Sequence, residues 1–216
     1  MGRVMAASPI QSVIREVSKA AYQRDLRAVG FRRQGNHIHR RFNDLIHSFN
    51  FQASRLAAGE FTVNLLVTSE ALYRYWTGRP LPANPATAFF PIQQRIGNLM
   101  PERQDRWWTI DTDQEILSRD VRHALLTYGL PFFDAFSSSE AILERLRADA
   151  NIPGVSAGQA KLVRAMLAKE RGNVQEAEQQ IYAALEEAGS SGFRQTVLAV
   201  AHRLGMERLG MERPAT

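Results

Sequence analysis

Between Glu60 and Thr68 the residues Phe61, Val63, Leu65 and Val67 alternate with Thr62, Asn64, Leu66 and Thr68. Successive side chains of an extended chain point to opposite faces, so this period of two defines a β-strand with odd positions inward. A lone strand is not stable in water and needs neighbours. The nearest lies upstream, where Asn43-Asp44 forms a two-residue turn that pairs Phe42 with Leu45, Arg40 with His47 and Ile38 with Phe49. That register gathers Ile38, Phe42, Leu45, Phe49 and Phe51 on one face. A three-residue loop would set Ile38 against Ser48 and split the set, because a slip of one residue turns every side chain over. In the two-residue register His37 and His39 stand on the outward face beside Ser48 and Asn50, and His47 cannot join them. Two imidazoles without a third ligand make a poor metal site, so no metal is expected.

Helices flank these strands. Ser8-Pro9-Ile10-Gln11 reads as a helix start with Gln11 in a capping-box position, and an apolar stripe runs from Ile10 to Leu26, ended by Gly30. Four prolines mark residues 77–91 as an irregular loop. A further strand is expected at Ile92–Gly97 and an edge strand at Arg106–Ile110. Thr112-Asp113-Gln114-Glu115 reads as a capping box for a helix through Leu125, closed by Gly129 and Pro131. Ser137-Ser138-Ser139-Glu140 opens a short helix to about Ala148. The expected organisation is an α+β domain over 1–150, a linker at 151–157, a helical hairpin with a terminal helix over 158–205, and a disordered tail at 206–216. Its sheet is small and antiparallel, of about four or five strands, packed on two or three helices. The all-α appendage has tetratricopeptide-like spacing of Ala165, Gly172, Ala177, Ile181 and Ala184, but only one such unit, where stacking architectures need about three.

Composition narrows the chemistry. The chain lacks cysteine, which removes disulfides, thiolate catalysis and sulfur-ligated zinc. No segment approaches the roughly 20 apolar residues of a membrane span, and the first residues hold no apolar run of signal-peptide length, so a cytoplasmic protein without membrane contact is expected. Arginine dominates the cations, and charge is concentrated: the stretch Arg15–Arg55 carries +6 in a chain of net charge +5. Such asymmetry allows a nucleic-acid surface of Arg32, Arg33, Arg40 and Arg41, with Phe31 nearby for stacking. No phosphate loop, nucleophile elbow or HExxH pair is present, so neither a cofactor nor a catalytic residue is assigned. Ser54 near Arg55 and His37 is the one arrangement that could be drawn as a hydrolase.

The outward row of the sheet, Ser48, Asn50, Gln52, Ser54, Thr62 and Asn64, is neutral and polar where a solvated face would more often carry Lys and Glu. It suits a surface that hydrogen-bonds a protein partner or a small polar ligand. The expected contacts are Asn50, Gln52 and Asn64 as readers, Arg55 and Arg95 as charge, and Trp107 or Trp108 as an aromatic anchor. Coverage of the face by the chain's own C-terminal helices is the competing expectation.

Val29-Gly30-Phe31, Asn50-Phe51-Gln52-Ala53-Ser54-Arg55, Phe61-Thr62-Val63-Asn64-Leu65, Arg95-Ile96-Gly97, Trp107-Trp108 and Leu130-Pro131-Phe132-Phe133 follow one another in an order and spacing that resembles the bacterial family catalogued as domain of unknown function 4304. The resemblance covers about residues 9–136. It implies an α+β domain with a small antiparallel sheet and lends no activity.

Overall fold

The computed structural model describes residues 8–148, 152, 154–189 and 191–206. In chain order they form α1 (Pro9–Ala21) with a π-helical turn at Tyr22–Leu26, β1 (Arg32–Gln34), β2 (His37–Phe42), β3 (Leu45–Ala53) and β4 (Glu60–Ser69). There follow α2 (Glu70–Thr77), β5 (Ile92–Arg95), β6 (Trp108–Thr109), α3 (Gln114–Ala124) and a second π-helical turn at Leu125–Gly129. The remaining elements are α4 (Leu130–Asp134), α5 (Ser139–Arg147), α6 (Ala157–Glu170), α7 (Val174–Glu186) and α8 (Ser191–Arg203). The fold is α+β. The strands make one sheet in the order β1-β2-β3-β4-β5, with β6 paired antiparallel to β4.

The chain forms two compact units that do not follow its order. The first gathers the chain up to Phe42 with Ile46–Val67 and Gln93–Ala135. The second gathers Asn43–Leu45, Thr68–Ile92 and the chain from Phe136 onward. Helices α2 and α5 therefore belong with α6, α7 and α8 rather than with the sheet. Of the expected linker, only Ile152 and 154–157 are described; Ile152 is buried, and Ala157 already opens α6. The expected tail lies outside the described residues apart from Met206.

Between β2 and β3 the chain turns at Asn43-Asp44, with Asn43 at φ 53° as a primed turn requires. The Phe51 N–H donates to the Asn36 carbonyl at 2.9 Å, which carries the two-residue register back to the strand start. The inward face of the first unit packs Ile38, Phe49, Phe51, Phe61, Val63 and Leu65, each at most 1% exposed. Gly129 does not close α3: its backbone stays helical, and a Cβ there would stand 2.5 Å from Phe49 Cε1. The glycine lets a helix approach the sheet, and the π-turn carries the chain on to Pro131 without a break. Gly97 answers a similar need, since a Cβ there would run into the Gln104 carbonyl.

Two caps differ from expectation. Ser8 makes no side-chain cap bond, and Gln11 accepts a bond from Asn36 Nδ2 at 2.9 Å that ties α1 to the β1–β2 turn. At α3 the cap is Asp113, one residue later than expected, accepting from the N–H groups of Glu115 and Ile116. Besides α4, which follows Gly129 where the helix was expected to close, two elements went unanticipated. Strand β1 is short and exposed at both ends, and α2 is an eight-residue helix capped by Ser69 and ended by Gly78 at φ 73°. Expected strand residues Ile96 and Gly97 lie in a 3-10 turn.

The second unit is helical. Ser156 and Gln159 close a capping box on α6, Asn173 caps α7, and Ala165, Ala177, Ile181 and Ala184 are fully buried between them. Helix α7 also places Glu176 where Arg147 of α5 and Arg164 of α6 both reach it, at 2.7 and 2.8 Å. The bonds from Arg147, with those from Arg164, hold the Glu176 carboxyl at about 2. Arg203 of α8 donates to the carbonyls of Tyr75 and Trp76 and so caps the open C-terminal end of α2.

Candidate functional site

Strand parity assembles one polar surface on the outward face. Strand β2 contributes His37, His39 and Arg41; β3 contributes Ser48, Asn50 and Gln52; β4 contributes Thr62 and Asn64. Arg32 of β1 pairs directly across from His39. The carboxamides form a connected chain. Asn64 Nδ2 donates to Asn50 Oδ1 at 3.2 Å and to Gln52 Oε1 at 2.8 Å, and Asn50 Nδ2 donates to His37 Nε2 at 2.9 Å. His37 Nδ1 lies 3.3 Å from Ser48 Oγ.

This order of donors settles the tautomer. Because Nε2 accepts, Nδ1 carries the proton and donates to Ser48. Burial lowers the His37 pKa and the neighbouring His39 lowers it further, so the ring is held neutral. The Ser48–His37 contact is therefore not a nucleophile and its base: the ring edge facing the hydroxyl is already protonated, and Ser48 has no exposed surface. Ser54 is engaged elsewhere, its Oγ accepting from the N–H groups of Leu56 and Ala57, so the hydrolase drawing does not come together.

Two hydrogen-bonding groups are left over. Gln52 Nε2, a donor, and Asn64 Oδ1, an acceptor, have no protein partner among the described residues, and both side chains are half-buried. Thr62 Oγ1 is wholly enclosed and also without a partner. Toward Ile46, Ser48 and Leu66 the face is closed; at Asn50, Gln52 and Asn64 it is half-open.

The other expected site residues separate. Arg55 is exposed in the β3–β4 loop beside the fully exposed Leu56. Arg95 pairs with Asp105 at 2.9 Å and lies 5.0 Å above the Trp107 ring, so its charge is largely answered within the protein. Trp108 is core: it is 3% exposed, stacks on Phe61 and donates from Nε1 to Asp120 at 2.7 Å. It cannot anchor a partner. Burial raises the Asp120 pKa, but the bonds from Trp108 and Arg106 outweigh it, so the carboxyl stays ionised.

The hairpin arginines divide by parity. Arg40 is 9% exposed on the inward side, donating to His47 and to the Val29 carbonyl and lying over the rings of Phe31 and Phe42. Phe31 is itself buried and cannot stack on a base. Arg33 turns back to Ser18 and the Arg15 carbonyl. Only Arg32 and Arg41 are exposed, and they share the outward face with the histidines and the amides. Sequence reasoning assigned His37, His39, Ser48 and Thr62 to this face but not to the site. Strand parity was the signal that could have added them.

A separate groove of about 550 Å³ runs between α1 and α3, lined by Glu16, Arg24, Glu115, Arg119 and Arg122 among others. Its walls carry both signs, and Arg122 is taken up by a bidentate pair with Asp25. Among the described residues no three potential metal ligands cluster.

A small α+β domain that presents a neutral polar sheet face is the class these features define. Residues 22–135 match the family described as Domain of unknown function (DUF4304), and the chain belongs to that family. The match runs from the π-turn after α1 to the end of α4 and leaves α5 to α8 outside. No curated protein and no solved structure matches the chain.

Proposed function

We propose that the protein is a non-catalytic recognition module that binds a protein or a small polar ligand through the outward sheet face. The observation that carries this reading is the unused pair Gln52 Nε2 and Asn64 Oδ1. A donor and an acceptor, held on adjacent strands by their own hydrogen bonds, match the complementary pair of an amide or a similar group. Fixing both side chains in advance removes part of the ordering cost of binding. A bacterial cytoplasmic setting belongs to the same proposal; no described helix is long and apolar enough to cross a membrane.

The test is recovery of bound molecules from host lysate by the tagged full chain, with and without nuclease, beside an Asn50→Ala/Gln52→Ala/Asn64→Ala variant shown by circular dichroism to be folded. A stoichiometric ligand or protein retained by the natural chain and lost from the variant supports the amide face. Recovery that nuclease abolishes and the variant keeps would replace this reading with nucleic-acid binding through the hairpin arginines.

A further inference from the structure

We infer that the β1–β2 end of the outward face is a phosphate-binding site formed by Arg32, Arg41 and His39. The inference rests on the reading of this face as the recognition surface and assigns a charged group to the ligand.

Arg32 faces His39 directly across the β1–β2 ladder, and Arg41 follows His39 by two residues on the same strand, so all three side chains leave the sheet on one side. Both guanidinium groups are exposed and make no ion pair or hydrogen bond within the described residues. His39 is nine-tenths buried, and neither ring nitrogen is bonded to the protein: Nδ1 is enclosed without a partner, whereas Nε2 is not enclosed. The accessible edge of the ring is Nε2, which carries no protein bond and opens on the same side of the sheet as the two unpaired arginines, so an anion there can bond to all three side chains. The charges acting on His39 are those of Arg32 and Arg41, both cations, with His37 next to it on β2; no carboxylate offsets them. Two unpaired positive charges and a ring nitrogen that can donate suit a tetrahedral dianion better than a planar monoanion, since each guanidinium can take a separate oxygen edge. The amide row would then read the polar body of the ligand that carries the phosphate.

Nuclear magnetic resonance of the His39 imidazole in the full-length protein tests this, titrated with inorganic phosphate at constant ionic strength and with acetate as the monoanion control. Saturable movement of the His39 signals by phosphate, with a rise in the His39 pKa of about half a unit or more, is expected. Both effects should vanish in Arg32→Gln/Arg41→Gln, whose substituted side chains are exposed and leave the core intact. Both should persist in the amide-row variant. Phenyl phosphate binding better than dimethyl phosphate would identify a terminal phosphate; the reverse order would identify a diester backbone as the source. Movement by acetate equal to that by phosphate, or movement that survives the arginine substitutions, would overturn the site. Loss of the phosphate response with amide-dependent capture retained would remove this site alone. A phosphate response alongside amide-independent capture would remove the broader reading instead.

Discussion

Arg40 and His39 are neighbours on β2 and equally enclosed, each 9% exposed, yet the protein treats them in opposite ways. Arg40 is answered on every side. Its Nε donates to His47 at 3.3 Å, Nη1 donates to the Val29 carbonyl at 3.3 Å, and the rings of Phe31 and Phe42 lie 4.7 and 4.8 Å from its carbon. His39 has no such bond, and Thr62 Oγ1 on the same outward face has none either. A buried polar group that the fold satisfies serves the fold. One left unsatisfied costs stability, a cost the fold bears on the outward face and avoids on the inward one. The two faces of one sheet thus separate a structural use of polarity from a recognition use.

The largest effect expected of a satisfied buried group lies outside the sheet, at Glu176 on α7, where two arginines converge on one enclosed carboxylate. Glu176→Gln should cost about 2–3 kcal/mol at neutral pH, reduced from the usual penalty for a broken buried pair because Arg147 is partly exposed. With its pKa depressed from 4.5 to about 2, Glu176 contributes stability that is full above pH 4.5 and is lost as pH falls toward 2. Urea unfolding at pH 7 and pH 3 measures both; a variant as stable as the natural chain at pH 7 would show that enclosure and satisfaction do not track stability here.

Next comes Arg40 itself. Arg40→Ala removes the stem packed between two rings along with the charge, and about 2 kcal/mol of stability should go with it. Arg41→Ala, one residue on but exposed, should change stability by less than about 0.5 kcal/mol. Equal losses in urea would break the comparison between the faces at its simplest point.

The outward face should announce itself through pH. Burial, followed by the charge of His39, lowers the His37 pKa from 6.5, and burial, followed by Arg32 and Arg41, lowers that of His39. A lowered histidine pKa means that the unfolded chain binds the proton more readily. Stability from these rings is therefore complete above pH 6.5 and declines as pH falls through their folded values. Protonated His37 would also turn an Nε2–H toward the donor Nδ2 of Asn50 and break the amide chain there. Unfolding free energies at pH 7.5 and 5.5 should fall together with a change in the Asn50 and Asn64 side-chain amide signals. A stability loss in that interval without the amide change would assign it to other groups.

These contrasts were only partly legible in the sequence. Alternation in Glu60–Ser69 and the Asn43-Asp44 turn establish the register, because both are local and one face is apolar throughout. Parity alone then places Asn50, Gln52 and Asn64 side by side. Strand β1 left no trace, since three polar residues paired on a single edge need no apolar alternation. Gly129 reads as a terminator until Phe49, eighty positions away in the chain, is seen to need the space of its missing Cβ. Arg40 reads as a surface cation although the hairpin register sets it across from His47 and beside Phe42, because nothing local reveals that Phe31 will close over it. Trp107 and Trp108 look alike in sequence, and only the pairing of Phe61 with Trp108 sends one into the core.

The smallest effect is the sharpest test of the outward face. Thr62 is fully buried and its hydroxyl has no partner, so Thr62→Val, which replaces that hydroxyl by a methyl of nearly the same size, removes an unsatisfied group and nothing else. Where a buried hydroxyl is bonded, the same exchange costs about 1 kcal/mol; here it should be neutral or stabilising by about 0.5 kcal/mol. The gain should leave ligand capture unchanged, because the enclosed hydroxyl lies out of a ligand's reach. A destabilised Thr62→Val would mean that the hydroxyl is satisfied in solution, and the outward face would then differ from the inward one in charge but not in unmet hydrogen bonds.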